Sequence, residues 1–351
     1  MDPHSIELPR IVLVGNNVLE RLPDVCGELE FGKGSNILVL ADKVTKGIAG
    51  DRASGLLNAD MDLVADSTAA EVDRINKAGE SDNKDKYNKP SVVVAVGGGK
   101  VIDVAKMIAY RNEIPFISVP TAPSHDGIAS ERASISGQDG GRYSLRAKPP
   151  IAIVADIGIM KSAPYRLIAS GAADVISNCT AVNDWKLAHK SKDEYYSEYA
   201  AALALLSSEI VINSASMIKE LKERGIRNLV EALVSSSISM SLVGSSRPAS
   251  GSEHAFSHAL DAMGSGGLHG EQCGLGAVLM AYQQGQDWER IKEALKTIGA
   301  PTTAKEMGVE KEAVIKALLE AKNVRKRYTI LDEKPLDANK AEELCRETGV
   351  C

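Results

Sequence analysis

Six histidines occur in the 351 residues, and three of them, His254, His258 and His269, lie close together near the end of the chain. His254 and His258 are four positions apart in a helical stretch and therefore share a face. His269 follows the glycine-rich Met263-Gly264-Ser265-Gly266-Gly267-Leu268 and opens another helix. Two imidazoles on one helix and a third across a loop can converge on one metal ion; the alternative is a set of capping and surface histidines. Asp174 is the lone acid in the small, apolar stretch Ser170-Gly171-Ala172-Ala173-Asp174-Val175-Ile176, and a buried carboxylate is rare unless paired or metal-bound. One carboxylate and two imidazoles form the three-ligand pattern of a catalytic zinc with one position left open. Such an ion lowers the pKa of an alcohol oxygen by acting as a Lewis acid.

A second group of residues suits a phosphate. Gly97-Gly98-Gly99-Lys100-Val101-Ile102-Asp103 joins a continuous β-branched run, Ser91-Val92-Val93-Val94-Ala95-Val96, to a stretch with apolar residues at helical spacing. The run reads as a strand buried on both faces. Three glycines at a strand-to-helix turn allow close approach of another molecule, and a helix start offers free N–H groups to an anion. The turn is a pyrophosphate cradle or a tight turn without a ligand. It is not the G-x-G-x-x-G fingerprint of the common dinucleotide fold. Asp42 ends an earlier strand, where it either accepts hydrogen bonds from an adenosine ribose or caps the next helix. Thr121-Ala122-Pro123-Ser124-His125-Asp126-Gly127 also follows a strand directly and places hydroxyls and an acid at a carboxyl end of the sheet. A dinucleotide on the glycine turn, facing a metal across a cleft, would pass hydride to or from a carbinol carbon, with a nearby imidazole carrying the proton.

The elements that must position these groups are legible in outline. Strands are expected at 10–14, 36–40, 60–64, 91–96, 115–120 and 151–156, with helices between them: one at 16–29, interrupted near Pro23, and one at 67–78. The polar stretch 79–90 reads as a solvated loop, and 130–144, around Gly137 and Gly140-Gly141, as a hairpin. This alternation predicts an α/β domain with a parallel, Rossmann-like sheet over 1–162. Helical periodicity with almost no strand signal follows, at 165–178, 194–222, 226–243, 252–263, 271–284 and 311–325, so 163–351 reads as an all-α metal- and substrate-binding domain.

Composition narrows the function classes. The chain is 44% hydrophobic and 25% charged, with a net charge of −6. That balance argues against a nucleic-acid or anionic-membrane surface. No apolar run reaches the length of a membrane span, and Met1-Asp2-Pro3-His4-Ser5 lacks signal-peptide character. Five cysteines without a C-x-x-C pair suggest reduced thiols in a cytoplasm.

The glycine turn, Pro120-Thr121-Ala122-Pro123-Ser124-His125-Asp126-Gly127, Gly171-Ala172-Ala173-Asp174 and His269-Gly270-Glu271-Gln272 resemble the iron-containing alcohol dehydrogenase, glycerol dehydrogenase and dehydroquinate synthase-like superfamily. Within it, Ser252-Glu253-His254-Ala255-Phe256-Ser257-His258-Ala259-Leu260-Asp261 and Tyr143-Ser144-Leu145-Arg146-Ala147-Lys148-Pro149-Pro150 look most like the archaeal sn-glycerol-1-phosphate dehydrogenases. The resemblance runs nearly the whole chain in order. It implies reduction of dihydroxyacetone phosphate by NAD(P)H to sn-glycerol 1-phosphate, a precursor of archaeal ether lipids. It implies one zinc per chain on Asp174, His254 and His269, substrate contacts at Asp126, Asp174 and His258, and a homo-oligomer, dimer or octamer. Cofactor contacts would fall on Gly97, Gly98, Gly99, Lys100, Val101, Asp103, Asp42, Thr121, Ser124 and Ser130. Lys100 departs from the serine that many relatives carry, which leaves open whether this position meets phosphate by backbone or by charge. Three rivals remain: a glycerol dehydrogenase, a dehydroquinate synthase-type lyase, for which Arg247 and His258 could supply basic groups, and a non-catalytic NAD-binding scaffold. The phosphate separates the first from the expected activity, and Lys148 and Arg146 are the residues expected to reach it unless both sit exposed on the hairpin.

Overall fold

The computed structural model describes residues 6–32, 34–80, 89–137 and 141–351. Most of the 79–90 loop, Gly140 of the hairpin turn and the five N-terminal residues lie outside them. The chain forms two compact units. One comprises Glu7–Pro123 and Gly127–Pro164; the other comprises Tyr165–Cys351 with Ser124–Asp126.

The first unit is a six-stranded parallel sheet, as the alternating pattern predicts. Its strands are β1 (Ile11–Gly15), β2 (Ile37–Ala41), β3 (Asp60–Leu63), β4 (Val92–Gly97), β5 (Phe116–Pro120) and, after a hairpin, β8 (Ala152–Asp156), in the order β1-β8-β5-β4-β2-β3. β6 (Arg132–Ser136) and β7 (Arg142–Arg146) form that separate antiparallel hairpin. Val39, Val94, Val96, Ile117 and Val154 pack with Leu19 and Leu22 into one apolar cluster, which explains the continuous β-branched runs. From β2 the chain steps outward to β3, then returns to lay β4 on the other side of β2. The direction of strand addition thus reverses between β2 and β4, and open α/β sheets bind ligands in the crevice at the carboxyl ends beside such a reversal. Pro23 sits in the first turn of the Leu22–Glu28 helix, after a short 3-10 turn at Val18–Arg21. It opens that helix rather than interrupting it, since an N–H missing there costs nothing.

One buried ion pair ties the glycine-turn helix to the segment after β5. Lys106, on the Gly99–Arg111 helix, is fully buried. Its Nζ reaches Asp103 Oδ1 at 3.3 Å, the carbonyls of Gly127 at 2.5 Å and Arg132 at 2.7 Å, and Ser130 Oγ at 3.5 Å. Removing one partner of a buried pair leaves an uncompensated charge. Lys106→Met is therefore expected to cost about 3–5 kcal/mol of stability, read as a shift in the urea midpoint. A loss below about 1 kcal/mol would show that the lysine is not holding this segment.

The second unit is helical throughout. Its helices include Tyr165–Ile176, Asn178–Lys192, Glu198–Asn213, Glu223–Ser241, Ser252–Ala262, His269–Gln284, Lys311–Val324 and Ala338–Thr348. The helix expected over 194–222 is two, Glu198–Asn213 and Ala215–Lys219, and the Asn178–Lys192 helix has no counterpart in the apolar periodicity. All five cysteines are free thiols. Among the described residues no helix is long and apolar enough to cross a membrane.

Candidate metal and cofactor sites

The helical unit gathers Asp174, His254 and His269, and adds Cys273. One ligand atom from each of the four lies within 4.8 Å of the others. Asp174 comes from the Tyr165–Ile176 helix, His254 from Ser252–Ala262, and His269 and Cys273 from one face of His269–Gln284. The Nε2 atoms of His254 and His269 are each 3.7 Å from Asp174 Oδ1. That oxygen is buried and accepts no hydrogen bond among the described residues, whereas Oδ2 accepts the Asp126 amide at 2.9 Å. Buried polar atoms are almost always satisfied, so a bare carboxylate oxygen facing two imidazole nitrogens fits a cation. Burial raises the Asp174 pKa to about 7, opposed by the Asp126 amide and reinforced by Glu253; it also lowers that of His254, with His269, Arg325 and Arg327 adding to the effect. A cation at the centre would offset these penalties.

The groups behind the ligands set their tautomers. His254 Nδ1 is 2.9 Å from Glu253 Oε1, so the ring donates there and Nε2 keeps its lone pair. Glu253 is fully buried and accepts from the Gly251 amide at 2.6 Å and Thr180 Oγ1 at 2.9 Å. Ser257 Oγ donates to Gln272 Oε1 at 2.6 Å and thus accepts from His269 Nδ1 at 3.2 Å, leaving His269 Nε2 unprotonated. Both imidazoles present a lone pair to the same point, the arrangement that backing hydrogen bonds produce around bound metals.

The α/β unit holds the second set at the reversal between β2 and β4. Gly98 caps the Gly99–Arg111 helix without a side chain, and a Cβ built on it meets nothing within 4 Å. A Cβ on Gly97 would lie 2.7 Å from Val101 Cβ, so Gly97 is required by packing and Gly98 borders open space. Val101 is fully buried, and Asp103 is buried against Lys106; both shape the turn from inside. Asp42 is a helix cap: its Oδ1 accepts the amides of Val44 and Thr45 at 2.9 and 2.8 Å, and Thr45 Oγ1 accepts its amide. Its Oδ2 is 3.4 Å from Lys100 Nζ. Burial opposes the Asp42 charge, but the Thr45 and Val44 hydrogen bonds and Lys100 together lower its pKa. Thr121 is buried, with its amide on the Gly97 carbonyl at 3.1 Å, and Ser130 is drawn into the Lys106 network. The Ser124 carbonyl accepts from Ser170 Oγ at 3.3 Å, within the helical unit.

Residues 13–164 match the model for iron-containing alcohol dehydrogenase. A protein of Pyrococcus furiosus named glycerol-1-phosphate dehydrogenase, NAD(P)+, is 48% identical over 99% of both chains. One of the same name from Methanococcoides burtonii is 49% identical over 98% of this chain and 96% of its own. The chain belongs to the glycerol-1-phosphate dehydrogenase family. Its fold also matches the solved structure of a probable glycerol dehydrogenase from Sinorhizobium meliloti, with a TM-score of 0.79 over 99% of this chain and 98% of that one, but at 18% identity.

The structure gives most of the remaining candidate residues of this glycerol-1-phosphate dehydrogenase family member definite partners. His258 is on the His254 helix, and its ring centre lies 6.1 Å from that of His269. Its Nε2 is 2.8 Å from Arg325 Nη2; arginine only donates, so His258 Nε2 accepts and Nδ1 carries the proton. Burial, then Arg325, then the neighbouring histidines push its pKa down to about 2. Asp126 Oδ2 accepts from Ser236 Oγ at 3.1 Å. Arg247, considered above as a basic group for a lyase, is buried in a bidentate pair with Glu194 and also donates to the Tyr328 carbonyl at 3.0 Å; it is a structural brace. Arg146 is exposed on β7, and Lys148 is half-buried before β8. Cys273 and Arg325 went unnoticed in the sequence. The first had a signal, four residues after His269 in a helix; the second, 67 positions from His258, had none.

Proposed function

We propose that the protein reduces dihydroxyacetone phosphate to sn-glycerol 1-phosphate with NAD(P)H, using one zinc per chain. The observation that carries the reading is identity near one half, over essentially full length, to proteins named for glycerol 1-phosphate and NAD(P)+. The Asp174, His254 and His269 set supports it, because a non-catalytic scaffold has no need of a bare buried carboxylate oxygen. Likeness to a glycerol dehydrogenase at 18% identity bears on the fold alone.

Asp174, His254 and His269 would hold the metal, and the open turn at Gly98, Gly99 and Lys100 the pyrophosphate, with Asp42, Thr121, Ser124 and Ser130 around the rest of the cofactor. When bound, the metal polarises a carbonyl oxygen and the reduced nicotinamide supplies hydride. The chain's own groups do the orienting. Glu253 and Ser257 hold the two imidazoles with Nε2 forward. His258 stays neutral and offers Nδ1–H to a substrate hydroxyl. The Asp126 amide fixes Asp174 Oδ2, which leaves Oδ1 as the oxygen that would meet a metal, while the Asp126 carboxylate, steadied by Ser236, would accept a substrate hydroxyl. Lys148 is the α/β-unit residue proposed to meet the phosphate.

The test is a side-by-side assay of dihydroxyacetone phosphate and dihydroxyacetone with NADH, with product stereochemistry read by an enantiomer-specific enzyme. The phosphate ester is expected to be preferred at least about a hundredfold in kcat/KM, roughly 2.7 kcal/mol of transition-state binding, and to give the sn-1 product. Equal rates would turn the assignment to glycerol, and an sn-3 product would sever it from ether-lipid precursors.

A further inference from the structure

The reading above leaves the substrate phosphate without a partner in the helical unit, where the metal ligands lie. We infer that Arg325, seconded by Arg327, is the phosphate anchor and sets the preference for a phosphorylated triose; the inference rests on the proposed function. Both arginines follow the Lys311–Val324 helix in a short irregular segment. Arg325 Nη2 donates to His258 Nε2 at 2.8 Å, and Nη1 to Ser250 Oγ at 3.1 Å. Arg327 donates to the Ser250 carbonyl at 2.9 Å and to Ser246 Oγ at 2.7 Å. Two guanidiniums are thereby laced to the loop that leads into the His254 helix.

Both arginines also line a cavity of about 500 Å³ with Lys192, Lys322 and Lys326, in which Asp332 is the one acid. Five cations against one carboxylate make this a place for a dianion. A triose phosphate has its carbonyl and its phosphate a few bonds apart. His258 stands between the metal ligands and Arg325, so a substrate hydroxyl on Nδ1–H and the phosphate on the guanidinium are recognised by one connected pair. Planar, bidentate donation to phosphate is what arginine does better than a point charge.

The experiment compares wild type, Arg325→Gln, Arg327→Gln and Lys148→Gln, all zinc-loaded, on dihydroxyacetone phosphate and dihydroxyacetone. Inorganic phosphate is added as a competitive inhibitor, and zinc content is measured in each. Glutamine at 325 removes the charge and the guanidinium fork and leaves a shorter amide donor on the His258 side. The inference expects Arg325→Gln to retain zinc, to lose at least about thirtyfold of the preference ratio, and to bind inorganic phosphate at least tenfold more weakly. Arg327→Gln, which leaves the His258 contact intact, is expected to lose about tenfold of the ratio and serves if the first variant does not fold. Equal losses on both ketones, with the ratio kept, would make Arg325 a positioning group for His258 and overturn the inference. So would collapse of the ratio in Lys148→Gln alone. A wild type without any preference defeats the functional reading itself and this inference with it.

Discussion

His254→Ala is expected to leave the protein folded, free of metal, and at least about ten thousandfold less active in kcat/KM, a loss of roughly 5.4 kcal/mol in transition-state binding. The size follows from the geometry. His254 Nε2 and His269 Nε2 are equidistant from Asp174 Oδ1, so removal of one imidazole leaves two of the three proposed ligands where a catalytic zinc needs three, with only Cys273, whose thiol burial holds protonated, beside them. It also leaves Glu253, fully buried, without the ring that hydrogen-bonds to it. Elemental analysis of protein made without a histidine tag should find one zinc per wild-type chain and none in the variant. His258→Ala is the control, because it removes a neighbour of the set and not a member; it is expected to keep the metal and lose substrate affinity. If Asp174→Ala, His254→Ala and His269→Ala combined still held a full equivalent of metal, the ligand assignment would fall. The same set predicts that a chelator abolishes activity and that added zinc restores it.

Gly98→Val is expected to lose at least about a hundredfold in affinity for both NADH and NADPH while the fold survives. Two adjacent glycines make this a controlled comparison. A Cβ at Gly98 meets no protein atom within 4 Å, and its φ of −84° with ψ of −170° is ordinary extended backbone. The cost of valine in place of glycine at that cap is about 1 kcal/mol, which a domain of this size absorbs. What the side chain fills is the space before the free N–H groups of the Gly99–Arg111 helix, where a pyrophosphate would lie. Gly97→Ala behaves oppositely. Its Cβ would press on Val101 at 2.7 Å, so stability falls by about 1–3 kcal/mol through overpacking even where cofactor affinity is spared. Fluorescence titration with both nicotinamide cofactors, beside thermal melts, separates the two. Unchanged titration in folded Gly98→Val would remove the cradle from this turn.

Much of the α/β unit was legible because its physics is local. A strand buried on both faces must be apolar without interruption, so 91–96 announces β4 from composition alone, and three glycines after it mark the turn. Asp42 was ambiguous by the same local logic: cap and ribose acceptor demand one residue type at one strand end, and only the positions of the Val44 and Thr45 amides reveal the capping role. The Asn178–Lys192 helix escaped notice because its buried face mixes polar side chains with Ala181, Val182, Trp185 and Ala188. Asn178, Thr180 and Asp184 are buried, and Asp184 is satisfied by the amides of Ser252 at 2.7 Å and Ile330 at 2.8 Å, partners that exist only once the chain has folded.

By itself, then, the sequence determined the two kinds of architecture, the glycine turn and the types of residue able to bind a metal, because periodicity and residue chemistry are properties of short stretches. Tertiary structure decided which of those residues meet. It set Asp174 Oδ1 bare between two imidazoles, recruited Cys273 beside them, committed Arg247 to Glu194, and brought Arg325 onto His258 across 67 positions. Contacts of that kind depend on how helices stack and where their side chains then point, and no short stretch of sequence carries that information.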